Sequence, residues 1–284
     1  MLASFIALAS SFFDQFTSSI IKKSETKESN AVSIWDAALI SIIGGSLLIF
    51  TAGLTNRTAS ETSIFTWVFL IRVVLEIFQI YVTYNALKYA QLSSFNFVRS
   101  FSIVFTIALE IILLGTILSL TKYFGVFLII LSLGIVFRNG VRNVTGWHFL
   151  ILSAINGGIL NSLAKYQYTI GQVYTVESNV RIVLIAILLV VVVLNNFKLK
   201  SNVINKISSN KLLLWTIPFK AVTSLLSVVA INLGSATTYV AVERGGSVLF
   251  GVILGHSIFK EKSLKEKLSI SAVLVAGIWL VAFS

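Results

Sequence analysis

Ten acidic or basic side chains in the long apolar runs of this sequence are candidates for chemistry, and five carry each sign. These residues are Asp14, Arg72, Glu76, Arg99, Glu110, Glu177, Arg181, Lys220, Glu243 and Arg244. A charge at the centre of a lipid bilayer costs about 2.5–3.5 kcal/mol even on mild insertion scales. We therefore expect these side chains to face a wet cavity or one another, where they can pair, exchange protons or bind a charged solute.

Two of the arginines, Arg99 and Arg244, lack a carboxylate one helical turn away on the same face. Glu243 is adjacent to Arg244 but points about 100° away around a helix. Guanidinium groups bind carboxylate or phosphate through two parallel hydrogen bonds, so these arginines are candidate anchors for an anionic or zwitterionic solute. The predicted substrate-binding residues are Arg72, Asn96, Arg99, Lys220 and Arg244.

Three carboxylates in the same runs, Glu76, Asp14 and Glu243, are candidates for coupling protons to solute movement. Glu76 has an alternative interpretation, because it lies four residues after Arg72 and can simply neutralise it. Glu177 and Arg181 have the same spacing and are interpreted as a structural pair. Glu110 lies near the end of its apolar run and is expected at the membrane interface.

The elements that position these residues follow from composition. Hydrophobic residues make up 56% of the chain and charged residues 12%, whereas soluble domains carry about 25% charged residues. A spanning helix needs roughly 20 mostly apolar residues. The predicted spans are 2–21, 34–54, 64–87, 92–115, 119–137, 147–166, 174–194, 212–233, 235–258 and 268–283. The sequence thus predicts an all-α, multi-pass integral membrane protein with about ten transmembrane helices.

Two further features concern the course of these spans. Pro218 is expected to kink the eighth span, because its ring removes one backbone hydrogen bond. Most lysines and arginines outside the spans fall in alternate loops, which predicts that these loops are cytoplasmic and that both termini lie outside.

The two halves of the chain align when the sequence is shifted by 145 residues, and Arg99 then falls on Arg244. Each half contains five predicted spans, an odd number, so the second half must enter the membrane in the opposite orientation. We therefore predict two inverted five-helix repeats, residues 1–140 and 141–284, with a solute site near the midplane between them.

Several short segments carry a resemblance to a known family. In the first half they are Ala86-Leu87-Lys88-Tyr89-Ala90, Gly115-Thr116-Ile117-Leu118-Ser119, Gly125 and Gly134, and in the second half Ala236 and Lys260-Glu261-Lys262-Ser263-Leu264. The chain resembles the EamA-type branch of the drug/metabolite transporter superfamily over nearly its whole length. The resemblance implies ten helices in two inverted repeats and both termini inside, in contrast to the charge distribution.

The chain departs from that family pattern in both halves. Glu261 matches the glutamate that precedes the last helix of a repeat, whereas Thr116 replaces its counterpart in the first half. Ile103 and Val248 stand near positions where the family often has proline.

Other classes of function lack support in the sequence. With no cysteine and two histidines, neither thiol chemistry nor a transition-metal site is expected. Phosphate-binding loops and nucleophile elbows are missing from the sequence, so we predict no enzyme and no cofactor. The net charge of +11 comes from loop lysines beside apolar runs, which favours contact with the lipid bilayer over nucleic acid.

The leading hypothesis is a secondary active transporter of small, amino-acid-like or otherwise polar metabolites. It would work by alternating access in the plasma membrane, with proton coupling, as a monomer or homodimer. Two alternatives stay open. One is multidrug efflux of lipophilic cations, with Asp14 and the aromatic side chains as the binding groups. The other is a non-transporting membrane scaffold or receptor, which should tolerate neutral substitutions at Arg99 and Arg244.

Overall fold

The computed structural model describes residues 2–27, 34–55, 67–115, 119–138, 146–199, 214–262 and 264–283. Within these ranges the regular secondary structure is α-helix, in eleven segments. The segments are α1 Leu2–Lys27, α2 Ile34–Thr55, α3 Trp67–Tyr89, α4 Leu92–Arg99, α5 Ser102–Leu114, α6 Leu120–Arg138, α7 Trp147–Ile170, α8 Val173–Leu199, α9 Thr216–Leu233, α10 Ala236–Phe259 and α11 Leu264–Phe283. Each predicted span overlaps one helix, except the fourth span, which contains both α4 and α5.

Six helical stretches in the described part of the chain are long and apolar enough to cross a membrane. They are Ile34–Leu54, Trp67–Tyr89, Leu92–Ile112, Trp147–Ile170, Val173–Asn195 and Thr216–Leu233. A shorter apolar stretch, Leu120–Val136, lies in α6. These lengths and compositions identify an α-helical membrane protein.

The helices turn apolar side chains outward and polar ones inward. Phe5, Trp67 and Leu120 are among the large hydrophobic side chains on the surface, with exposures of 72%, 71% and 88%. By contrast, Asp14 in α1 and Arg244 in α10 are buried. This distribution is the one expected in lipid, because charged groups avoid the hydrocarbon and gather inside the bundle.

The predicted kink at Pro218 is wrong. Helix α9 begins at Thr216, so Pro218 is its third residue rather than an interior one. The backbone N–H groups of a first helical turn have no intrahelical partner, so proline costs no hydrogen bond there.

A short irregular turn divides the predicted fourth span directly after Arg99. The N–H of Phe101 donates to the carbonyl of Val98 at 3.0 Å, and the N–H of Val104 donates to that of Phe101 at 3.1 Å. These bonds span three residues instead of four, as in a 3₁₀-helix. The turn therefore ends α4 at Arg99, and α5 begins at Ser102.

The packing of the helices follows a regular pattern. Helix α1 packs on α9 and α10, and α7 packs on α3 and on the α4–α5 segment. Further close pairs are α2 with α8 and α9, α6 with α11, and α10 with α4, α5 and α11. Buried aromatic side chains such as Phe95 and Phe97 fill the core between them.

Interhelical hydrogen bonds define two ends of the bundle. At the first, here named the lysine-rich end, the amine of Lys22 donates to the carbonyl of Ala90, and that of Lys267 donates to Gln91 Oε1 at 3.0 Å. At the opposite end the amine of Lys165 donates to the carbonyl of Gly234 at 2.6 Å. Helix α10 runs from the turn at Gly234, beside the end of α7, to Glu261, which contacts Leu92. The 90–91 turn and the 171–172 turn that follows α7 therefore lie at different ends of the molecule.

Two buried carboxylates bind the N-termini of helices. Glu261, at the lysine-rich end, accepts hydrogen bonds from the N–H of Leu92 at 2.7 Å and from the Ser93 hydroxyl. Glu110, at the opposite end, accepts from the N–H of Thr237 at 3.2 Å and from its hydroxyl. Negative groups at helix N-termini are stabilising because N–H groups there are otherwise unpaired. Glu110 is therefore buried against a helix start at one end of the bundle, and its position at the membrane interface stays a prediction.

The carboxyl of Glu261 lies in the turn between α10 and α11. Burial alone raises the pKa of this carboxyl. Hydrogen bonds from Ser93, Lys267 and the N–H of Leu92, together with the charge of Lys267, lower the pKa by more than burial raises it. The net effect is a pKa below the ordinary glutamate value, so the ionised form stabilises this turn.

Candidate functional site

A cavity of about 270 Å³ lies between the helices and is lined from both halves of the chain. Its lining includes seven charged side chains. They are Asp14, Glu76, Arg99, Arg181, Lys220, Glu243 and Arg244. The lining residues of α1 and α3 come from the halves nearer the lysine-rich end, Asp14 to Ile21 and Glu76 to Leu87. The cavity therefore extends from the middle of the bundle toward that end.

A larger groove, of about 710 Å³, lies between α1, α10 and α11. Its lining is apolar apart from Ser4, and it includes Phe5 and Trp279, both exposed on the outer surface. Such a groove suits lipid chains better than a polar solute. The charged cavity is therefore the candidate functional site.

Asp14 holds two cations from different helices in this cavity. The amine of Lys220 donates to Asp14 Oδ1 at 2.9 Å, and Arg99 Nη1 lies 3.6 Å from Asp14 Oδ2. The three residues belong to α1, α9 and α4, so one carboxylate joins helices of both halves.

Arg244 pairs with its sequence neighbour. Its Nη1 donates to Glu243 Oε1 at 3.0 Å, and its Nε donates to the Ser102 hydroxyl at 3.2 Å. The expectation that Arg244 lacks a carboxylate is therefore wrong. The two side chains leave the helix in different directions, but the long guanidinium side chain reaches back to the carboxylate.

Arg99 is held less tightly than Arg72 and Arg244, the buried arginines of the described residues. Its guanidinium has an ion pair with Asp14 and lies 5.5 Å from the ring centre of Phe95, but it donates no hydrogen bond to any described residue. Its Nε is fully buried and without an acceptor. The Arg99 side chain is nevertheless 17% exposed and lines the cavity, so the outer part of its guanidinium is accessible to a ligand there.

A second charged cluster lies at the opposite end and closes around Glu177. Arg72 Nη2 donates to Glu177 Oε1, and Arg72 Nη1 donates to Gln167 Oε1 at 2.8 Å. The hydroxyl of Tyr168 also donates to Glu177 Oε1, at 2.7 Å. Arg181 Nε lies 3.9 Å from Glu177, as the predicted structural pair requires. This opposite-end cluster joins α3, α7 and α8.

Glu76 lies between the two groups of charges. Its side chain lines the cavity, is 30% exposed, and has Arg72 as its ion-pair partner at 3.9 Å. One turn further, Gln79 Nε2 donates to the hydroxyls of Thr83 at 2.9 Å and Ser153 at 3.0 Å. The polar side chains of α3 from Glu76 to Thr83 thus face the cavity and α7.

The structure brings six of the eight predicted site residues together around the cavity. They are Asp14, Glu76, Arg99, Lys220, Glu243 and Arg244. The other two lie elsewhere. Arg72 is buried in the opposite-end cluster, and Asn96 Nδ2 donates to Gln15 Oε1 at 2.6 Å, away from the cavity lining. Arg72 and Asn96 therefore do not line the cavity, and a solute bound there would not contact them.

Tyr239 and Arg181 are among the cavity residues that sequence reasoning missed. Tyr239 lies one turn before Glu243 on α10, a spacing that could have indicated its position. Arg181 was interpreted only as a partner of Glu177, yet it also lines the cavity. Within the described ranges no group of histidine or acidic side chains is arranged to hold a metal ion.

Comparisons with known proteins give the fold and nothing more specific. No protein-family model matches the sequence, and no curated protein matches it. A protein of known crystal structure shares the fold with a TM-score of 0.65 and 14% sequence identity, over 100% of this chain and 99% of that chain. The whole chain therefore folds like a protein of nearly the same length.

Proposed function

We propose that the chain is a secondary active transporter that carries a small polar organic solute across a membrane by alternating access, with EamA-type transporters as its relatives. The observation that carries the proposal is the charged cavity inside an apolar helix bundle, lined from both halves of the chain. Ionisable groups in membrane proteins are costly, and where they persist they commonly form solute or ion pathways.

An inverted-repeat architecture of ten spans has support from the packing. If α4 and α5 count as one span, a two-fold operation exchanges α1 with α7, α9 with α3, and α10 with α4–α5. The contacts of α1 with α9 and α10 then correspond to those of α7 with α3 and α4–α5. The pairs α2 with α8 and α6 with α11 map onto themselves, whereas the close pairs α2 with α9 and α10 with α11 correspond to looser ones, α8 with α3 and α4 with α6.

The capping carboxylates support the same operation. Leu92 and Thr237, whose N–H groups bind Glu261 and Glu110, are separated by the 145 residues that also separate Arg99 from Arg244. Equivalent positions therefore have equivalent partners. The sequence counterpart of Glu261 in the first half is Thr116, which has no carboxylate, and Glu110 binds the helix N-terminus instead.

Proton coupling belongs to the proposal, and Glu76 is its first candidate. Among the three candidate carboxylates, its side chain is the most exposed to the cavity, whereas Asp14 and Glu243 are held by close cations. A carboxylate that exchanges protons must reach water, and Glu76 meets that requirement.

The test uses accessibility from the two faces of the membrane. The chain has no cysteine, so a single Ser224→Cys variant offers one thiol, in the middle of α9 and on the cavity wall. In sealed vesicles it is treated with a membrane-impermeant thiol reagent on one face or the other. A transporter that alternates its access exposes this thiol to both faces.

Two marker variants define the faces. Gln91→Cys lies in the turn at the lysine-rich end and Gln172→Cys in the turn at the opposite end, and each should react from one face only. If Ser224→Cys also reacts from one face only, the chain is a scaffold or receptor and the proposal is wrong.

A further inference from the structure

The unsatisfied guanidinium of Arg99 is the starting point for identifying the solute. An arginine has five N–H donors in a planar fork. Among the described residues the Arg99 guanidinium has one ion-pair partner, Asp14 Oδ2 at 3.6 Å, and its Nε has no acceptor. Its side chain is 17% exposed, and that exposure is to the cavity. A planar acceptor with two oxygens would satisfy this fork through two parallel hydrogen bonds.

The balance of charge around Arg99 gives the sign of the missing group. Three cations, Arg99, Lys220 and Arg244, share two carboxylates, Asp14 and Glu243. This leaves one positive charge in excess.

The remaining charged residues of the cavity wall, Arg181 and Glu76, are opposite in sign and do not change that excess. Uncompensated charge in a buried site is costly, so the free site favours a ligand that brings one negative charge.

We infer that the transported solute is a monoanion bound through a single carboxylate to the guanidinium of Arg99. The inference rests on the proposed function, since it takes the ligand of this cavity to be the solute that is carried. A phosphate monoester brings about two negative charges and would leave the site with a net negative charge. An ammonium ion would raise the excess positive charge from one to two.

The size of the cavity limits the rest of the solute. A volume of about 270 Å³ lies at the lower end of the range for small-molecule sites, about 300–1,000 Å³, so the solute is small. Leu87, Ile42 and Tyr84 line the wall toward the lysine-rich end and suit a short apolar body. A branched or aromatic monocarboxylate matches these features.

The test compares matched compounds that differ in the charged group. The probes are 4-methylpentanoate, 4-methylpentanamide and 3-methylbutylamine, together with benzoate and benzamide, at equal concentration and ionic strength. The readout is the rate at which N-ethylmaleimide modifies Ser224→Cys in the full-length protein in vesicles. Each carboxylate should slow the modification at least threefold relative to its amide.

The arginine is tested in the same assay. Arg99→Gln, combined with Ser224→Cys, should reduce the carboxylate-to-amide ratio to about one. Arg138→Gln removes the same charge at the exposed end of α6 and should leave the ratio unchanged.

The result that overturns the inference is equal protection by carboxylate and amide in both pairs, or stronger protection by the amine. The proposed transporter function remains supported after such a result if Ser224→Cys still reacts from both faces. Reaction from a single face overturns the proposed function instead.

Discussion

At the scale of single residues, Asp14 has the widest influence, because its carboxylate is shared by Arg99 and Lys220. Removing one partner of a buried ion pair leaves the other charge uncompensated, and here two cations would be left. The three side chains lie on helices that are far apart in sequence, so Asp14 also fixes how those helices meet.

We predict that Asp14→Asn lowers the free energy of unfolding by about 3 kcal/mol, the typical cost of breaking a buried pair. Unfolding of the purified full-length chain in mixed micelles measures this value. Glu266→Gln, a neutralisation on the exposed surface of α11, serves as the control and should change it by less than about 0.5 kcal/mol. Equal stability of Asp14→Asn and the unmodified chain would contradict the shared ion pair.

Glu261 gives a pH-dependent prediction at the same scale. Its pKa in the folded state lies below the ordinary value near 4.5. Its contribution to stability is therefore fully present above the unfolded-state pKa and is lost as the pH falls through the folded-state pKa.

Glu261→Gln should accordingly destabilise the protein by about 1–3 kcal/mol at neutral pH, and the difference from the unmodified chain should shrink below about pH 4. The comparison is made between the two proteins at each pH, so that contributions common to both cancel. A constant difference from pH 7 to pH 3 would show that Glu261 is not ionised here.

At the scale of elements, the opposite-end cluster closes the bundle beyond the cavity. Arg72, Glu177 and Tyr168 connect α3, α7 and α8 on the side away from the lysine-rich end. Access from that face requires these helices to separate, and the buried pair of Arg72 and Glu177 opposes the separation.

We therefore predict that Glu177→Gln favours opening at that end. Reaction of Ser224→Cys from the face marked by Gln172→Cys should become several-fold faster, while reaction from the other face slows. The charge-matched Glu266→Gln variant should change neither rate. Faster reaction from the lysine-rich face alone would mean that the cluster has no closing function.

The elements themselves were largely predictable from the sequence. Apolar runs of sufficient length determine where helices form, and each predicted span overlaps one. The break after Arg99 was not predictable, because neither glycine nor proline marks it. The start of α9 was placed too early, since the residues before Thr216 are as apolar as those after it, and this made Pro218 look like an interior residue.

At the scale of the whole molecule, the sequence could indicate which residues belong inside but not which of them meet. Asp14 and Lys220 are 206 residues apart, and Arg72 and Glu177 are 105 apart. Such pairs depend on how whole helices pack, which the local spacing of residues does not encode. The same limit explains why Arg72 was assigned to the solute site rather than to the opposite-end cluster.

Alternating access requires that one and the same cavity is reached from each side of the membrane in turn. Sequential labelling of Ser224→Cys tests this most directly, in vesicles of defined orientation. A first impermeant reagent is applied on one face until reaction is complete, and a second on the other face. We predict that the first reagent removes all sites for the second, because both reach the same thiol in the same molecule. Undiminished reaction with the second reagent would mean two fixed populations and would contradict alternating access.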